Sequence, residues 1–197
     1  MSKKKLFLIA LSSGVLLSLS WVNVMMFAPL ILVALVPLLF VEDYISEHNN
    51  DKNFSSYATF SYTFLPFLLF SFTTTYWIAY ASAIGLVAPL FEATFMALVF
   101  QIYHYTKKAS KENKGRYFFL LFYWLLFEFV QFRWDLNFPW LNLGNTFASY
   151  PILVQWYCVF GMEGGTLWIL LCNIMVYLAI KKYLCFLLHQ NLYFKIV

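Results

Sequence analysis

Charge is what this chain of 197 residues has least of: only 11% of it is Asp, Glu, Lys or Arg, against roughly a quarter in soluble globular domains. That scarcity, beside 62% hydrophobic and 22% aromatic residues, excludes a water-soluble domain. The net charge of +4 does not suggest nucleic acid, because basic residues near the ends of apolar runs have orientation in a membrane as their usual role. Cysteine is also scarce. Cys158, Cys172 and Cys185 form no CxxC pair and have no partnering histidines, so neither a zinc site nor a disulfide framework is expected. No Gly-rich phosphate loop, HExxH or GxSxG occurs, and His48, His104 and His189 stand apart, flanking spans. Nothing here implies a cofactor, a metal or a catalytic residue.

What is present is a series of long apolar runs. The opening MSKKKLFLIALSSGVLLSLSW has the outline of a signal peptide, but a second apolar run continues through Val41, which favours a retained anchor. The stretch between Lys5 and Glu42 is uncharged and would reach ~54 Å as helix, against ~60 Å for two crossings of a ~30 Å core. Two short spans with a turn near Asn23 fit it. Further runs place spans at about 58–80, 85–105, 117–132 and 165–180, after the first two at about 6–21 and 24–41. The expected fold is therefore all-α, a polytopic integral membrane helical bundle of about six transmembrane helices forming one domain over 1–197.

Orientation follows from the basic residues. Six crossings bring Lys3–Lys5, the five-cation loop from Lys107 to Arg116, and Lys181 with Lys182 to one side, the cytoplasmic side by the positive-inside rule. The polar stretch EDYISEHNNDKNFSSY is expected in water or headgroups on that side. On the opposite side lies 133–164, too apolar for a solvated loop and too broken by Pro and Gly for a span, so an interfacial or re-entrant path is expected.

Ionisable residues inside spans are candidate site residues because burying one costs from ~2.5 kcal/mol upward. Glu92 and Glu128 qualify, each a turn or two below the outer end of its span. They could line one polar pocket for a lipid headgroup or a proton. Alternatively, Glu128 pairs with Arg133 and Glu92 bonds a tyrosine or tryptophan, which would tie helices together. Arg133 is a candidate phosphate ligand, since its guanidinium offers paired donors to an anionic headgroup, unless it only snorkels. Cys158 has no neighbouring base that would activate it.

The segment FPWLNLGN (Phe138 to Asn145), followed by Pro151, Gln155, Gly161 and GGTLWILLCN (Gly164 to Asn173), resembles the part of apolipoprotein N-acyltransferases that joins their late membrane spans. ALVPLLFVE (Ala34 to Glu42), TYWIAY (Thr75 to Tyr80) and WLLFEFVQFR (Trp124 to Arg133) follow the same family order, so the resemblance covers nearly the whole chain. Glu128 and Arg133 lie five apart, a wider spacing than the family pattern. The resemblance implies a bacterial inner-membrane protein, multi-pass, with its N-terminus in the cytoplasm. It also implies acyl transfer from phospholipid to the N-terminal amine of lipoproteins, carried out by a nitrilase-like domain with a Glu, Lys and Cys triad. No stretch of these 197 residues corresponds to that domain, so the chain is expected to be inactive alone and to work with a separate nitrilase-like chain and a lipoprotein substrate. Trp77, Glu92, Glu128, Arg133, Pro139, Trp140, Gly144 and Glu163 are the lipid-substrate or structural candidates. The alternative is a free-standing lipid-binding scaffold or small transporter without acyltransferase chemistry.

Overall fold

The computed structural model describes residues 1–22, 25–48, 54–81, 83–110, 115–134 and 139–193. The expected turn at Asn23, the middle of the 107–116 loop and the side chain of His189 lie outside the described residues. Among those described there is no strand, and the elements are short 3-10 turns and seven α-helices: α1 (Lys3–Ser20), α2 (Val36–Glu47), α3 (Ala58–Thr75), α4 (Ile78–Ala81), α5 (Val87–Ala109), α6 (Phe118–Gln131) and α7 (Tyr157–Tyr193). Three helical stretches, Ala28–Glu47, Val87–Ala109 and Tyr157–Leu187, are long and apolar enough to cross a membrane. α6 is apolar but shorter.

Successive long helices run in alternate directions. The Met1 amino group meets the Tyr44 hydroxyl near the end of α2 at 2.6 Å, and Thr73 near the end of α3 meets Ser18 near the end of α1 at 2.7 Å. The bundle thus has a basic end, carrying Lys3–Lys5, Lys107 and Lys181, and an opposite loop end carrying Trp77, Glu92, Glu128 and the 139–153 segment. α3 packs against both α1 and α5, α6 lies beside α5, and α7 covers α2. Phe67, Phe100 and Trp124 meet at the centre with ring centroids 5.6 to 6.1 Å apart. Apolar side chains from most of the helices fill the remaining core.

Close helix approach within lipid depends on small residues, because apolar burial gives helices little reason to associate there. Gly14 supplies this on α1. A β-carbon added to it would lie 2.6 Å from the backbone oxygen of Pro66, the proline inside α3. Gly14→Ala is therefore expected to force α1 off α3 and cost ~1–3 kcal/mol, measured by denaturant unfolding in detergent. A loss below a few tenths of a kcal/mol would contradict the contact.

The sequence reading needs correction in four places. The span expected at about 24–41 is found at Ala28–Glu47, where a 3-10 turn at Ala28–Leu32 precedes α2. Asn173 of α7 accommodates that break: its side chain accepts from Leu35 N at 2.8 Å and donates to Ile31 O at 2.8 Å. Irregular backbone at membrane depth requires such a partner. The charges of EDYISE, expected in water, are partly buried: Glu42 and Asp43 lie inside the bundle. The third run, expected to reach Tyr80 unbroken, breaks after Thr75 at Tyr76 and Trp77, and Tyr80 lies in the short α4. The sixth starts earlier than expected and ends later, at Tyr157 and Tyr193, around a non-helical Gly161 whose φ of 68° favours glycine.

Candidate functional site

At the loop end, α6 aims Glu128 at the segment that follows it. Trp124 and Glu128 stand four apart on one face of α6, and the indole N–H donates to Glu128 Oε1 at 2.9 Å. The same oxygen accepts from the backbone N–H of Leu143 at 3.0 Å. The chain then turns through a 3-10 helix at Leu143–Phe147, capped by Asn142, whose Oδ1 accepts from Gly144 N at 3.0 Å and from the Thr166 hydroxyl of α7 at 3.0 Å. Gly144 N also reaches Thr166 Oγ1 at 2.9 Å. A β-carbon on Gly144 would collide with the backbone oxygen of Met162, so glycine is what lets this turn lie against the start of α7. One buried carboxylate thereby joins α6, the loop and, through Asn142 and Thr166, α7. The Glu128–Arg133 pairing is not made: among the described residues Glu128 forms no salt bridge, and the Arg133 guanidinium is exposed, 3.7 Å from the Phe129 ring.

Glu92, buried on α5, is bonded by the Gln131 amide of α6 and, among the described residues, by neither tyrosine nor tryptophan. Its Oε2, the Oε2 of Glu128, the Asn142 amide nitrogen and the Tyr157 hydroxyl are buried without a partner among the described residues. Trp77 and Trp140 are exposed and meet edge to face at 5.6 Å, linking the end of α3 to the 3-10 turn opened by Pro139. Glu163 is exposed beside Gly161. The structure therefore brings Glu128 and Gly144 into one hydrogen-bonded unit and Trp77 and Trp140 into an aromatic contact. Glu92 belongs to a groove between α5 and α6 of about 660 Å³.

The basic end holds a cluster that the sequence reading missed. Lys107 of α5 is buried and donates to both Glu42 and Asp43 of α2. His104 Nδ1 lies 2.9 Å from Glu42 Oε1. Asp43 Oδ2 also receives the Tyr177 hydroxyl and, at 2.5 Å, the Lys181 ammonium, both from α7. The hydroxyl of Tyr117, at the start of α6, lies 3.3 Å from the same oxygen. His104 is thus buried inside the bundle. The one available signal was the helical spacing of His104 and Lys107, which puts both on one face of α5.

Chemically, the basic end is an ion network in which the described charges pair with one another, with the Tyr103 hydroxyl buried beside it without a partner, whereas the loop end combines exposed aromatic residues, an apolar groove and four buried polar atoms lacking partners among the described residues. Among the described residues no group of three or more His, Cys, Asp or Glu is placed to hold a metal ion. Cys158 and Cys185 are exposed and Cys172 is half-buried. The loop end is the candidate functional site.

Comparison with known proteins supplies the family. The family model described as the apolipoprotein N-acyltransferase N-terminal domain matches residues 13–175. A curated protein of Chlorobaculum tepidum, named apolipoprotein N-acyltransferase, is 29% identical over 182 residues, covering 90% of this chain and 32% of that protein. The chain thus spans about one third of the length of the curated relative it matches. No solved structure matches it. Because the family model covers most of the sequence, including both partners of the Glu128–Leu143 contact, the chain belongs to the apolipoprotein N-acyltransferase N-terminal domain family.

Proposed function

We propose that this chain is the membrane part of a lipoprotein N-acyltransferase system. It crosses the bacterial inner membrane six times with its basic end in the cytoplasm, and its 133–164 segment lies interfacially or re-entrantly at the outer face. There it supports transfer of an acyl chain from phospholipid to the N-terminal amine of a lipoprotein. The chemistry belongs to a nitrilase-like catalytic domain with which it works, and the chain alone is inactive. The observation that carries this reading is the family match over 13–175, which runs through the loop that Glu128 pins. The alternating helix directions and the gathering of Lys3–Lys5, Lys107 and Lys181 at one end agree with the orientation. Arg133, exposed at the loop end, is the proposed phosphate contact.

Co-expression with a separate nitrilase-like catalytic domain, in cells depleted of their own acyltransferase, tests it. N-acylated lipoprotein, read by mass spectrometry of its N-terminal peptide, is expected only when both pieces are present. Acylation by the catalytic domain alone, or none with both although both are made and inserted, would overturn the reading.

A further inference from the structure

Three of the buried polar atoms without a partner among the described residues belong to one place: Glu128 Oε2, the Asn142 amide nitrogen and the Tyr157 hydroxyl. Asn142 is bonded to Thr166, and its neighbour Leu143 is bonded to Glu128. A β-carbon on Gly165, the residue before Thr166, would come within 2.1 Å of the Tyr157 hydroxyl, and that hydroxyl is within electrostatic reach of Glu128. α6, the loop and the segments on both sides of the Gly161 break in α7 thus meet there.

The polar atoms around the three are already committed. Asn142 Oδ1 accepts from Gly144 N and from the Thr166 hydroxyl, which fixes the orientation of the amide and leaves its nitrogen as a donor. Thr166 gives its one hydroxyl proton to that oxygen. Glu128 Oε1 accepts from Trp124 and Leu143. What remains is an obligatory donor, a hydroxyl that can donate or accept, and a carboxyl oxygen. Burying all three unpaired is unfavourable, so an occupant that pairs them is favoured.

Their chemistry selects that occupant. The Asn142 N–H needs an acceptor, which excludes an ammonium group and a metal cation. An anion suits only a protonated Glu128. Water suits both forms: it donates to an ionised carboxylate or accepts from a protonated one, while accepting from Asn142 and keeping a proton for the Tyr157 oxygen. A buried water commonly makes about three hydrogen bonds, and three partners are present. The atoms are also closed to solvent, which suits one small molecule rather than the end of a larger ligand.

We infer that Glu128, Asn142 and Tyr157 hold one buried water molecule, and that through it Tyr157 is a positioning residue for the loop. The water carries the attachment of Glu128 across to the first turn of α7, so that α6, the 139–147 segment and the start of α7 are held as one unit. This goes beyond the function proposed above and does not depend on it.

A structure of the purified full chain at a resolution that shows ordered water tests the site directly. One water is expected at ~2.6–3.2 Å from Asn142 Nδ2, Glu128 Oε2 and the Tyr157 oxygen. Direct hydrogen bonds among the three groups, or no water between them, would overturn the inference. Amide hydrogen exchange reads the link in solution. Tyr157→Phe removes one partner of the water and is expected to speed exchange through 139–147 about fivefold, while adding nothing in a Glu128→Ala background. Unchanged exchange in a folded Tyr157→Phe, or equal speeding in both backgrounds, would separate Tyr157 from Glu128 and overturn the link. The structure needs no variant, so the inference stays exposed even if Glu128→Ala fails to fold.

Discussion

Lys107→Met is expected to destabilise the chain by ~3–5 kcal/mol, the loss typical when one partner of a buried ion pair is removed. Lys107 donates to both Glu42 and Asp43, and among the described side chains only the His104 ring otherwise reaches Glu42. Without the ammonium, the buried Glu42 carboxylate keeps only the His104 ring among the described side chains, and a buried charge short of partners is costly. Asp43 keeps Lys181, Tyr177 and Tyr117, so the greater part of the loss should come from Glu42. Unfolding of the detergent-solubilised chain, followed by circular dichroism in a mixed-detergent titration, measures it. A further change, Glu42→Gln in the Lys107→Met background, should recover a large part of the loss because it removes the unpaired charge. A loss under ~1 kcal/mol would mean that water enters the cluster and screens the charges, as at exposed ion pairs.

That cluster also shows where sequence reading stopped. α6 is almost where the apolar run puts it, Phe118–Gln131 against the expected 117–132, because a run bounded by Gly115 and Arg116 on one side and polar residues on the other carries its own limits. α2 was misjudged because EDYISE looks solvated by composition. What buries Glu42 and Asp43 are Lys107 and Lys181, 64 and 138 residues away from Asp43, and no local pattern encodes partners at such separations. Asn173 is a similar case, since its role is defined by a backbone break around residue 35.

At the loop end Glu92 and Glu128 are buried, as their placement within apolar runs suggests, but their partners differ from those expected. The aromatic donor expected for Glu92 is Trp124 acting on Glu128, a pair visible in the spacing of four along α6. Glu92 instead meets Gln131 from a different helix. Charge attraction suggested Arg133 for Glu128, yet α6 ends at Gln131 and Arg133 lies in the turn beyond it, with its guanidinium over Phe129. Local helix geometry and the backbone needs of Leu143 prevailed over formal charge.

The second large effect is expected at Glu128. Glu128→Ala removes the acceptor of two buried donors, the Trp124 indole and the Leu143 backbone N–H, and each buried group left without a partner costs ~1–3 kcal/mol. A loss of ~2–4 kcal/mol follows, and it should be local first. Leu143 and Gly144 are held to the bundle by Glu128 on one side and by Asn142 with Thr166 on the other, so cutting the first attachment should raise amide hydrogen exchange through 139–147 before global unfolding. Glu128→Gln is the informative companion, because its carbonyl oxygen can still accept both bonds; it should lose less than ~1 kcal/mol and keep the loop protected. Exchange that stays slow over 139–147 in Glu128→Ala would show that Asn142 and Thr166 suffice to hold the loop. Exchange equally fast in the Ala and Gln variants would show that the negative charge, rather than hydrogen-bond geometry, holds it. Protection lost in Ala and kept in Gln makes Glu128 the pin by which α6 fixes the segment at the loop end.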